Sequence, residues 1–268
     1  MVGKPKQVLI SIVTVVRNGE MFLERTIKSV ISQTYKNIEY IIIDGNSTDK
    51  TVEIIKKYEH QISYWVSEKD KGLYDAMNKG AKLANGNFIN YLNAGDTICQ
   101  NNSIERIVQN IADITNVYYC RASIVSNKVC WIYPNIEVKN FDKWLNLNLP
   151  NHQTIFFPKN FYKFFFYDLR LSIGADDDYK LVALKNHNTK FIDEIFVEFK
   201  RDGVSSNHKD LKLFKQRLKE SFIRNFKHKR WVRLIIDPFK LMLMYCIYNV
   251  LGEDNFLRFI RMIVRLKG

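Results

Sequence analysis

Residues 88–96 read Phe-Ile-Asn-Tyr-Leu-Asn-Ala-Gly-Asp, and this stretch is the most informative in the chain. Its apolar first half is typical of a buried strand in an α/β sheet. Small or polar residues follow where packing alone does not require them: Asn93, Ala94, Gly95 and Asp96. Ligands of open α/β sheets bind just outside the carboxyl ends of the strands, so Asp96 is placed to hold a divalent cation and, through it, a phosphate. The alternative is a simple turn in which Asp96 caps the next helix.

Upstream of this stretch, apolar runs and helical spacing alternate along the chain. Residues 8–15, 40–43 and 62–66 are strand-like runs, and segments with helical apolar spacing separate them. This order predicts an α/β fold with a mostly parallel sheet flanked by helices. The first strand is not followed by Gly-x-Gly-x-x-Gly, the phosphate loop of dinucleotide-binding folds. Asp44 ends the second strand, where it either contacts a ribose or base or caps a turn.

The composition is that of a packed globular protein. The chain has 268 residues, of which 46% are hydrophobic, and this suits one large α/β domain with an appendage or two small domains. The cysteines are scattered and lack zinc-ligand spacing, so we expect idle thiols in a reducing compartment. We find neither a signal-peptide pattern nor an uninterrupted apolar run of about 18 residues, so we expect a cytoplasmic protein without a membrane span.

The net charge of +13 is concentrated at the carboxyl end. Residues 209–268 carry a net charge of +10, which argues against nucleic acid bound over the main domain. Arg258, Arg261 and Arg265 share one face of a predicted helix whose other face is apolar, a pattern typical of helices on anionic membrane surfaces. The alternative is that the tail helices pack on the main domain or on a partner chain. The apolar run 241–251 is too short to span a bilayer.

Three short motifs follow one another with consistent spacing in the first hundred residues. They are Asp-Gly-Asn-Ser-Thr-Asp-Lys-Thr at 44–51, Gly-Leu-Tyr-Asp-Ala-Met-Asn-Lys-Gly at 72–80 and Leu-Asn-Ala-Gly-Asp at 92–96. Together they resemble the successive donor-site motifs of family 2 glycosyltransferases, which act on nucleotide sugars and have the GT-A fold. Residues 11–18, Ser-Ile-Val-Thr-Val-Val-Arg-Asn, are similar to the strand that opens such domains.

This resemblance implies a fold and a reaction. It predicts a GT-A-like domain over residues 1–206, with a donor half at about 8–96 and an acceptor half at 97–206, followed by a basic helical tail at 207–268. The implied reaction is inverting transfer of a hexosyl or N-acetylhexosaminyl group from a nucleotide sugar, expected to be UDP-linked. A lipid-linked saccharide or oligosaccharide at the inner face of a bacterial membrane is the expected acceptor, in the assembly of a surface polysaccharide such as O-antigen or capsule.

Residue by residue, the resemblance places the donor site in the first half of the domain. Thr14 and Asp44 match positions that contact uracil and ribose, and Asp96 matches the acidic residue that holds Mn²⁺ or Mg²⁺ on the diphosphate. We include His208 as a second metal ligand. Many members have carboxylates at the positions of Asn93 and Gly95, so here the metal would be held mainly through water and substrate phosphates. The other predicted donor contacts are Val16, Asn18, Asn46, Lys71, Gly72, Tyr74, Asp75, Asn78, Asn93, Ala94 and Gly95.

The second half of the domain supplies the predicted acceptor side. His152 and Gln153 open an apolar strand, and the resemblance favours acceptor-side roles for both. Residues 174–179 read Gly-Ala-Asp-Asp-Asp-Tyr at the start of a helix, and the resemblance makes Asp176 the catalytic base, with Asp178 as the second candidate. A carboxylate can accept the proton of an acceptor hydroxyl, and a helix-capping role is compatible with this. The aromatic run 161–167 suits core packing or, alternatively, a sugar-stacking wall.

Other functions stay open at this point. A nucleotidyltransferase would also place a carboxylate and a metal at a sheet edge, but Arg17-Asn18-Gly19 does not provide its phosphate-binding loop. A degenerate domain that binds nucleotide sugar or glycan without turnover is compatible with Asn93 and Gly95. A nucleic-acid binder is poorly supported, because the basic excess lacks interleaved aromatic residues on a sheet face.

Overall fold

The computed structural model describes residues 8–126, 129–135, 148–200 and 210–266. The strands are β1 (Ile10–Val16), β2 (Ile38–Asp44), β3 (Tyr64–Ser67), β4 (Phe88–Tyr91), β5 (Thr97–Ile98), β6 (Val117–Ser126), β7 (Val129–Tyr133), β8 (Ile155–Pro158) and β9 (Thr189–Lys200). The helices are α1 (Leu23–Ile31), α2 (Thr51–Lys57), α3 (Leu73–Leu83), α4 (Ser103–Gln109), α5 (Lys159–Tyr162), α6 (Ala175–Asn186), α7 (Leu211–Lys227) and α8 (Trp231–Leu266). Short 3₁₀ turns cover Glu59–Gln61 and His152–Thr154.

The strands form one mixed sheet in the order β3-β2-β1-β4-β8-β6-β9-β5, with β7 paired to β6. From β3 to β4 the pairs are parallel, as the alternation of strands and helices predicts. Beyond β4 the sheet is mostly antiparallel, and β6 with β9 is a parallel pair. The predicted α/β fold with a helical carboxyl-terminal extension is therefore confirmed, with its parallel part concentrated in the first half.

Both faces of the sheet are buried, which explains the continuous β-branched composition of β1. Ile12 and Val16 pack into the core that α1 covers, whereas Val13 and Val15 point to the opposite core, which α3 covers. The aromatic run after β8 divides between core and surface. Phe161, Tyr162 and Tyr167 are buried, and Phe164, Phe165 and Phe166 are exposed.

Gly86 sets the approach of β4 to β1. A Cβ atom at this position would lie 2.6 Å from the backbone nitrogen of Ser11 and 2.7 Å from the carbonyl oxygen of Phe88. Only glycine fits there without a backbone shift. The close approach puts the carboxyl end of β4 beside that of β1, and the loop that carries Asp96 begins there.

The tail forms a helical hairpin. Phe214 of α7 stacks on Tyr245 of α8 with a centroid distance of 4.5 Å, and α8 also contacts β7. At Gly252 (φ 71°) the helix α8 kinks. Within the 22 residues Trp231–Gly252, an 18-residue stretch has a mean hydropathy of 1.5 and is mostly unburied, so by length and composition this segment could cross a membrane. The sequence predicted that the apolar run 241–251 is too short to span a bilayer. The prediction is wrong about the length of the helix, which begins well before residue 241 and continues through Pro238.

Candidate active site

A cavity of about 700 Å³ lies at the carboxyl end of β4. Its walls come from the loop after β4, the first turns of α3 and α6, the 3₁₀ turn before β8, and the hairpin of β6 and β7. Parallel strands end at the same edge of the sheet, which is why this side collects polar loop residues. The cavity brings together several predicted site residues: Tyr74, Asn93, Ala94, Gly95, Asp96, His152, Gln153 and Asp176.

Asp96 is a buried carboxylate with a fixed orientation. The Gln153 side-chain amide donates to Oδ2 at 3.0 Å, and the Lys200 backbone N–H donates to Oδ1 at 3.1 Å. Burial raises the pKa of Asp96 to about 7, and both of these hydrogen bonds and the nearby Arg25 oppose that shift. The role of Gln153 was not apparent from the sequence, which placed it on the acceptor side. In the structure it holds the carboxylate of Asp96.

The loop that carries Asp96 is tied to α1. The Thr26 hydroxyl donates to the carbonyl oxygen of Asp96 at 2.8 Å and accepts from the Gly95 N–H at 3.0 Å, and the Arg25 guanidinium donates to the carbonyl oxygen of Gly95. Gly95 has a φ of 107°, a left-handed conformation that glycine adopts without strain. The tight loop therefore has a backbone reason for the glycine at position 95.

The residues around Asp96 fit a divalent cation only as a sparse protein ligand set. Within the described ranges, no cluster of three or more His, Cys, Asp or Glu side chains is arranged to hold a metal. The buried Asn93 Oδ1 lines the same cavity and has no hydrogen-bond partner among the described residues. An amide oxygen is a suitable ligand for a hard cation. Asp96 and Asn93 thus offer two oxygen ligands, and the predicted ligand His208 lies outside the described residues.

Asp176 lies in the first turn of α6, on the cavity wall formed by that helix. The Tyr74 hydroxyl is 3.0 Å from Asp176 Oδ1 and 2.7 Å from the carbonyl oxygen of Ile173, and Lys180 Nζ is 3.5 Å from Oδ2. Burial raises the pKa of Asp176 above its usual range, Lys180 opposes this shift, and the adjacent Asp177 adds to it. A carboxylate with a raised pKa binds protons more strongly, so its placement suits a general base.

The two neighbouring aspartates do not line the cavity, and both are paired with basic residues. Asp177 pairs with Lys180 at 2.8 Å and with Arg224 at 3.3 Å. Asp178 pairs with Lys227 and His228, each at 2.8 Å, and does not line the cavity. Successive helix residues are about 100° apart, so residues i and i+2 point in nearly opposite directions. The choice of Asp178 as a second candidate base is therefore corrected, because its carboxylate is directed at α7.

His152 belongs to a buried aromatic cluster behind the cavity. Its Nε2 is 2.6 Å from the Tyr167 hydroxyl, and its ring stacks on Tyr91 at a centroid distance of 5.3 Å. Tyr167 in turn stacks on Tyr179 at 4.2 Å and on Tyr74 at 5.5 Å. Burial lowers the pKa of His152 to about 3, so the imidazole is neutral at physiological pH. The cluster connects His152 to Tyr74, the tyrosine that contacts Asp176.

The predicted nucleotide contacts on β1 and β2 divide into core and loop residues. Thr14 is fully buried, and its hydroxyl is 3.2 Å from that of Tyr40, while Val16 packs in the core. Asp44 accepts hydrogen bonds from the Ser47 N–H at 3.0 Å and from the Ser67 hydroxyl at 2.5 Å. In this structure the side chains of Thr14 and Val16 face the core, whereas the predicted donor contacts would need them at the edge of the sheet.

The loops after β1 and β2 are joined to one another at the edge of the sheet. The Asn18 N–H donates to the Ser47 hydroxyl at 2.7 Å, and Asn18 Oδ1 accepts from the Thr48 N–H at 2.9 Å. Asn18 and Asn46 both have positive φ, at 50° and 60°, which asparagine tolerates better than most residues. We call the joined loops 17–19 and 44–51 the loop shelf.

The start of α3 carries the remaining predicted donor residues. Lys71 and Gly72 are exposed, and the carboxylate of Asp75 accepts from the Lys71 N–H at 3.0 Å. Asn78 is turned away from the cavity. Its amide donates to the carbonyl oxygen of Tyr167 at 3.0 Å and accepts from the Tyr167 N–H at 2.8 Å. Asparagine has a poor helix propensity, and this contact with the backbone accounts for its place in the middle of α3. The contact does not leave the Asn78 side chain free for the predicted donor contact.

Two groups of residues near the cavity carried no signal in the sequence. Arg25 and Lys180 line it from helices whose spacing indicated only amphipathic packing. Tail residues of α7 contact the start of α6, and nothing in the local sequence of either helix names the other as its partner. The expected alternative, in which tail helices pack on the main domain, is what the structure has for α7.

Comparisons with known proteins give a consistent result. The family model described as glycosyl transferase family 2 matches residues 11–170. An uncharacterized glycosyltransferase of Mycobacterium tuberculosis is 29% identical over 212 residues, which cover 76% of this chain and 80% of the relative.

Two solved structures are similar in fold. S. aureus TarS 1–349 in complex with UDP-GlcNAc matches with a TM-score of 0.63 at 16% identity, over 80% of this chain. This chain spans 65% of that one, slightly less than two thirds. The mannosyltransferase PcManGT from Pyrobaculum calidifontis, in complex with GDP-Man and Mn²⁺, matches with a TM-score of 0.61 at 13% identity, over 98% of this chain and 82% of that one. At these identities the likeness is one of fold.

Proposed function

Because the chain belongs to glycosyl transferase family 2, we propose that it moves a hexosyl or N-acetylhexosaminyl group from a UDP-sugar to a hydroxyl of a saccharide acceptor. The observation that supports this most directly is a single cavity lined by Asp96, after β4, and by Asp176, at the start of α6. Glycosyl transfer from a nucleotide sugar needs charge stabilisation at the diphosphate and a base at the acceptor hydroxyl. The partners of Asp96 suit the first of these tasks, and those of Asp176 suit the second.

The donor is proposed to bind with its nucleotide on the loop shelf and its diphosphate toward Asp96. The shelf is held by Asn18 and Ser47, which join the loops at the carboxyl ends of β1 and β2. Ligands of α/β sheets occupy this edge because strand ends leave room between their loops. Asp44 lies at the end of β2, where its carboxylate can exchange a serine partner for a ribose hydroxyl.

Mn²⁺ or Mg²⁺ is the proposed cofactor. Asp96 and the carbonyl oxygen of the Asn93 side chain would hold it, with water and phosphate oxygens in the other positions. When bound, the cation offsets the negative charge of the departing nucleoside diphosphate. Gln153 and the Lys200 N–H keep the Asp96 carboxylate in one orientation, so that little reorganisation accompanies binding.

Asp176 is the proposed catalytic base. It accepts the proton of the acceptor hydroxyl while that oxygen forms a bond to the anomeric carbon of the donor. The bond from the anomeric carbon to the diphosphate oxygen breaks, and its electron pair leaves with the nucleoside diphosphate. One displacement of this kind inverts the anomeric configuration. Tyr74 and Lys180, which contact the two oxygens of Asp176, orient the carboxylate toward the cavity.

A lipid-linked saccharide at the inner face of a bacterial membrane is the proposed acceptor, within surface-polysaccharide assembly. The tail supports this, because α7 and α8 expose large apolar side chains beside basic ones. Ile235 is 77% exposed, Phe239 is 70% exposed and Val250 is 82% exposed. Such helices bind anionic lipid surfaces through apolar insertion and charge attraction. We therefore propose a peripheral membrane enzyme whose tail lies on the cytoplasmic leaflet.

A second candidate is a scaffold that binds a nucleotide sugar without turnover. The sparse ligand set of Asp96 and Asn93 is the observation that favours it. Binding and turnover measured on the same variants separate the two functions.

The deciding experiment measures donor binding and nucleoside diphosphate release with UDP-, GDP- and dTDP-sugars, in Mn²⁺, in Mg²⁺ and in chelator. We expect one UDP-sugar to bind in the presence of metal. Asp176→Asn should retain this binding and lose turnover by about 10² to 10⁴-fold, which is the usual contribution of a general base. Asp96→Ala should lose metal-dependent donor binding. Asp113→Asn, which removes an exposed carboxylate that does not line the cavity, is the matched control.

The possible results separate clearly. Binding without turnover in the unmodified chain would support the scaffold. Equal turnover in Asp176→Asn and Asp113→Asn would remove Asp176 from its proposed role. No donor bound under any condition would overturn both functions.

A further inference from the structure

Glu220 is a buried acid in the middle of the basic tail. It lies in α7 and is 2% exposed, although residues 209–268 carry a net charge of +10. A buried carboxylate is costly unless hydrogen bonds replace its water. Burial would raise the pKa of Glu220, but the Gln216 amide and the backbone N–H groups around it lower the pKa instead. The group is therefore ionised at neutral pH and held by donors.

Most of these donors belong to the three residues that precede α6. Oε1 accepts from the Ser172 N–H at 2.8 Å and from the Ser172 hydroxyl at 3.0 Å. Oε2 accepts from the Ile173 N–H at 3.1 Å and from the Gly174 N–H at 2.8 Å. The first N–H groups of a helix, and those just before it, lack partners within the helix. The N-cap residue of α6 is Gly174, which has no side chain to cap the helix. Glu220 therefore supplies an anionic cap from another helix.

The capped segment leads directly into the active site. Ser172 and Ile173 line the cavity, and the carbonyl oxygen of Ile173 is 2.7 Å from the Tyr74 hydroxyl that also contacts Asp176. Asp176 follows Gly174 by two residues. A change in the path of residues 172–174 would therefore move Asp176 and its contact with Tyr74 together.

The same face of α7 makes further contacts with α6. Arg224 pairs with Asp177 at 3.3 Å, and Lys227 and His228 pair with Asp178 at 2.8 Å. With Glu220, these residues fall at i, i+4, i+7 and i+8, which is one side of a helix. The approach is close, because a Cβ atom at Gly174 would lie 3.0 Å from Arg224 Nη1. This face of α7 is complementary in charge to the start of α6. The Glu220 carboxylate accepts from the N–H groups before α6, and the basic side chains of α7 pair with the aspartates of α6.

We propose that Glu220 is a positioning residue of the active site, which holds residues 172–174 so that Asp176 meets the acceptor hydroxyl. This inference rests on the proposed role of Asp176 as the base. The tail then has a part in the chemistry that is separate from any contact with lipid. A displacement of about 1 Å at a reacting group can cost about 10²-fold in rate, so a remote carboxylate can have a large effect on turnover.

The test compares Glu220→Gln with Asp210→Asn in the full-length protein. Glutamine keeps the size of the side chain but turns an amide toward the N–H groups of residues 172–174. Asp210→Asn removes one negative charge at the N-cap of α7 and keeps a capping side chain, since the Asp210 carboxylate accepts from the Lys212 and Leu213 N–H groups. Turnover, KM for the acceptor, donor Kd, Tm and the pH profile of kcat are measured for each variant.

For Glu220→Gln we expect kcat to fall about 10 to 100-fold with donor Kd unchanged. We also expect the acid limb of the kcat profile to move to higher pH. The groups that face Asp176 are Tyr74 on α3 and Lys180 and Asp177 on its own helix, and Arg224 of α7 acts through Asp177. Loss of the Tyr74 contact removes a hydrogen bond that lowers the pKa of Asp176. Asp210→Asn should match the unmodified chain in every measurement.

The outcomes keep this inference separate from the proposed function. If Asp176→Asn is inactive but Glu220→Gln has the kcat and pH profile of the unmodified chain, the positioning role is overturned and the base is retained. If Asp176→Asn keeps its turnover, the base itself is wrong. Equal losses of donor binding and kcat in Glu220→Gln, with a lower Tm and an unmoved pH profile, would show a merely structural contact. If Glu220→Gln does not fold, Glu220→Asp, which keeps the charge but is too short to reach all three N–H groups, is judged by the same readouts.

Discussion

Asn78 lies in the middle of α3, where asparagine has a poor helix propensity, and its side chain bonds the backbone of Tyr167 through both polar groups. Tyr167 in turn contacts His152 and stacks on Tyr74. The two hydrogen bonds pair the Asn78 side chain with the N–H and C=O of one residue, as paired residues of neighbouring strands do. They hold the loop after α5 against α3. Asn78 therefore acts on the site from a distance, through the aromatic cluster.

We expect Asn78→Ala to lower the free energy of unfolding by about 1–3 kcal/mol, because a buried N–H and carbonyl of Tyr167 lose their partners. Urea unfolding followed by tryptophan fluorescence measures this. Asn110→Ala, at the exposed end of α4, is the control and should change the free energy by less than about 0.5 kcal/mol. An unchanged urea midpoint in Asn78→Ala would contradict the importance of the pair.

At this scale the sequence predicts which chain segments reach the site better than it predicts which side chains do. Asp96 and Asp176 lie in the cavity, as the motifs imply. Thr14 and Asp178 do not, because the direction of a side chain depends on strand parity or helical phase relative to partners far along the chain. Gln153 illustrates the same limit, since its bond to Asp96 joins residues 57 positions apart.

At the scale of elements, the contact between α6 and α7 depends on ionised carboxylates. Burial would raise the pKa of Asp178, but His228 and Lys227 outweigh it and the pKa is lowered in the folded protein. A lowered folded-state pKa means that the stabilisation is present above the pKa of the unfolded chain, about 3.9, and is lost as pH falls through the folded value. The contact should therefore be intact at neutral pH and weaken in acid.

We expect the free energy of unfolding to fall as pH is lowered from about 5 to about 3. Asp178→Asn should lower stability at pH 7 by about 1–3 kcal/mol, as expected for charge-assisted hydrogen bonds, and should flatten this acid dependence. Urea unfolding at a series of pH values measures both effects. Glu59→Gln, at an exposed acidic position, is the control. If the free energy of unfolding of Asp178→Asn depends on pH as steeply as that of the control, the ion pairs of Asp178 with α7 do not contribute as proposed.

The order of elements up to β4 follows from local patterns, and most of it could be predicted. The second half could be predicted only in part. Its ten-residue strand β6 pairs with β9 from Val117 and Thr189 onward, although the two strands lie far apart in the chain. Pairing across such a separation leaves no periodic signal in either strand. The docking of α7 on α6 has the same origin, because a basic helical face indicates an anionic partner without identifying it.

At the scale of the whole molecule, the tail presents two different surfaces. The inner face of α7 contacts α6, and α8 leaves apolar side chains such as Ile235 and Phe239 exposed. The sequence predicted a basic amphipathic tail, but its charged residues and Pro238 obscured the length of α8. The outer surface is the proposed lipid contact, and it can be altered without touching the cavity.

We expect the double variant Ile235→Asp with Phe239→Asp to bind anionic lipid vesicles at least about 10-fold more weakly, because two apolar side chains no longer enter the interface. Donor hydrolysis in solution should be unchanged. Cosedimentation at low and high salt measures binding, which salt should weaken. Leu169→Asp, at an exposed apolar residue outside the tail, is the control. Equal vesicle binding by both proteins would count against a lipid-facing tail.

The anionic cap on α6 also bears on how the protein is made. Glu220 follows the residues it caps by 46 to 48 positions, so at usual elongation rates they leave the ribosome roughly 2–10 s before it does. During that interval a nascent chain has its donor-side strands, while the start of α6 lacks the contact that fixes it. Helix α8, the proposed lipid contact, follows α7 immediately in the chain. The proposed base is therefore fixed in place only after α7 has been made, directly before the proposed membrane contact emerges.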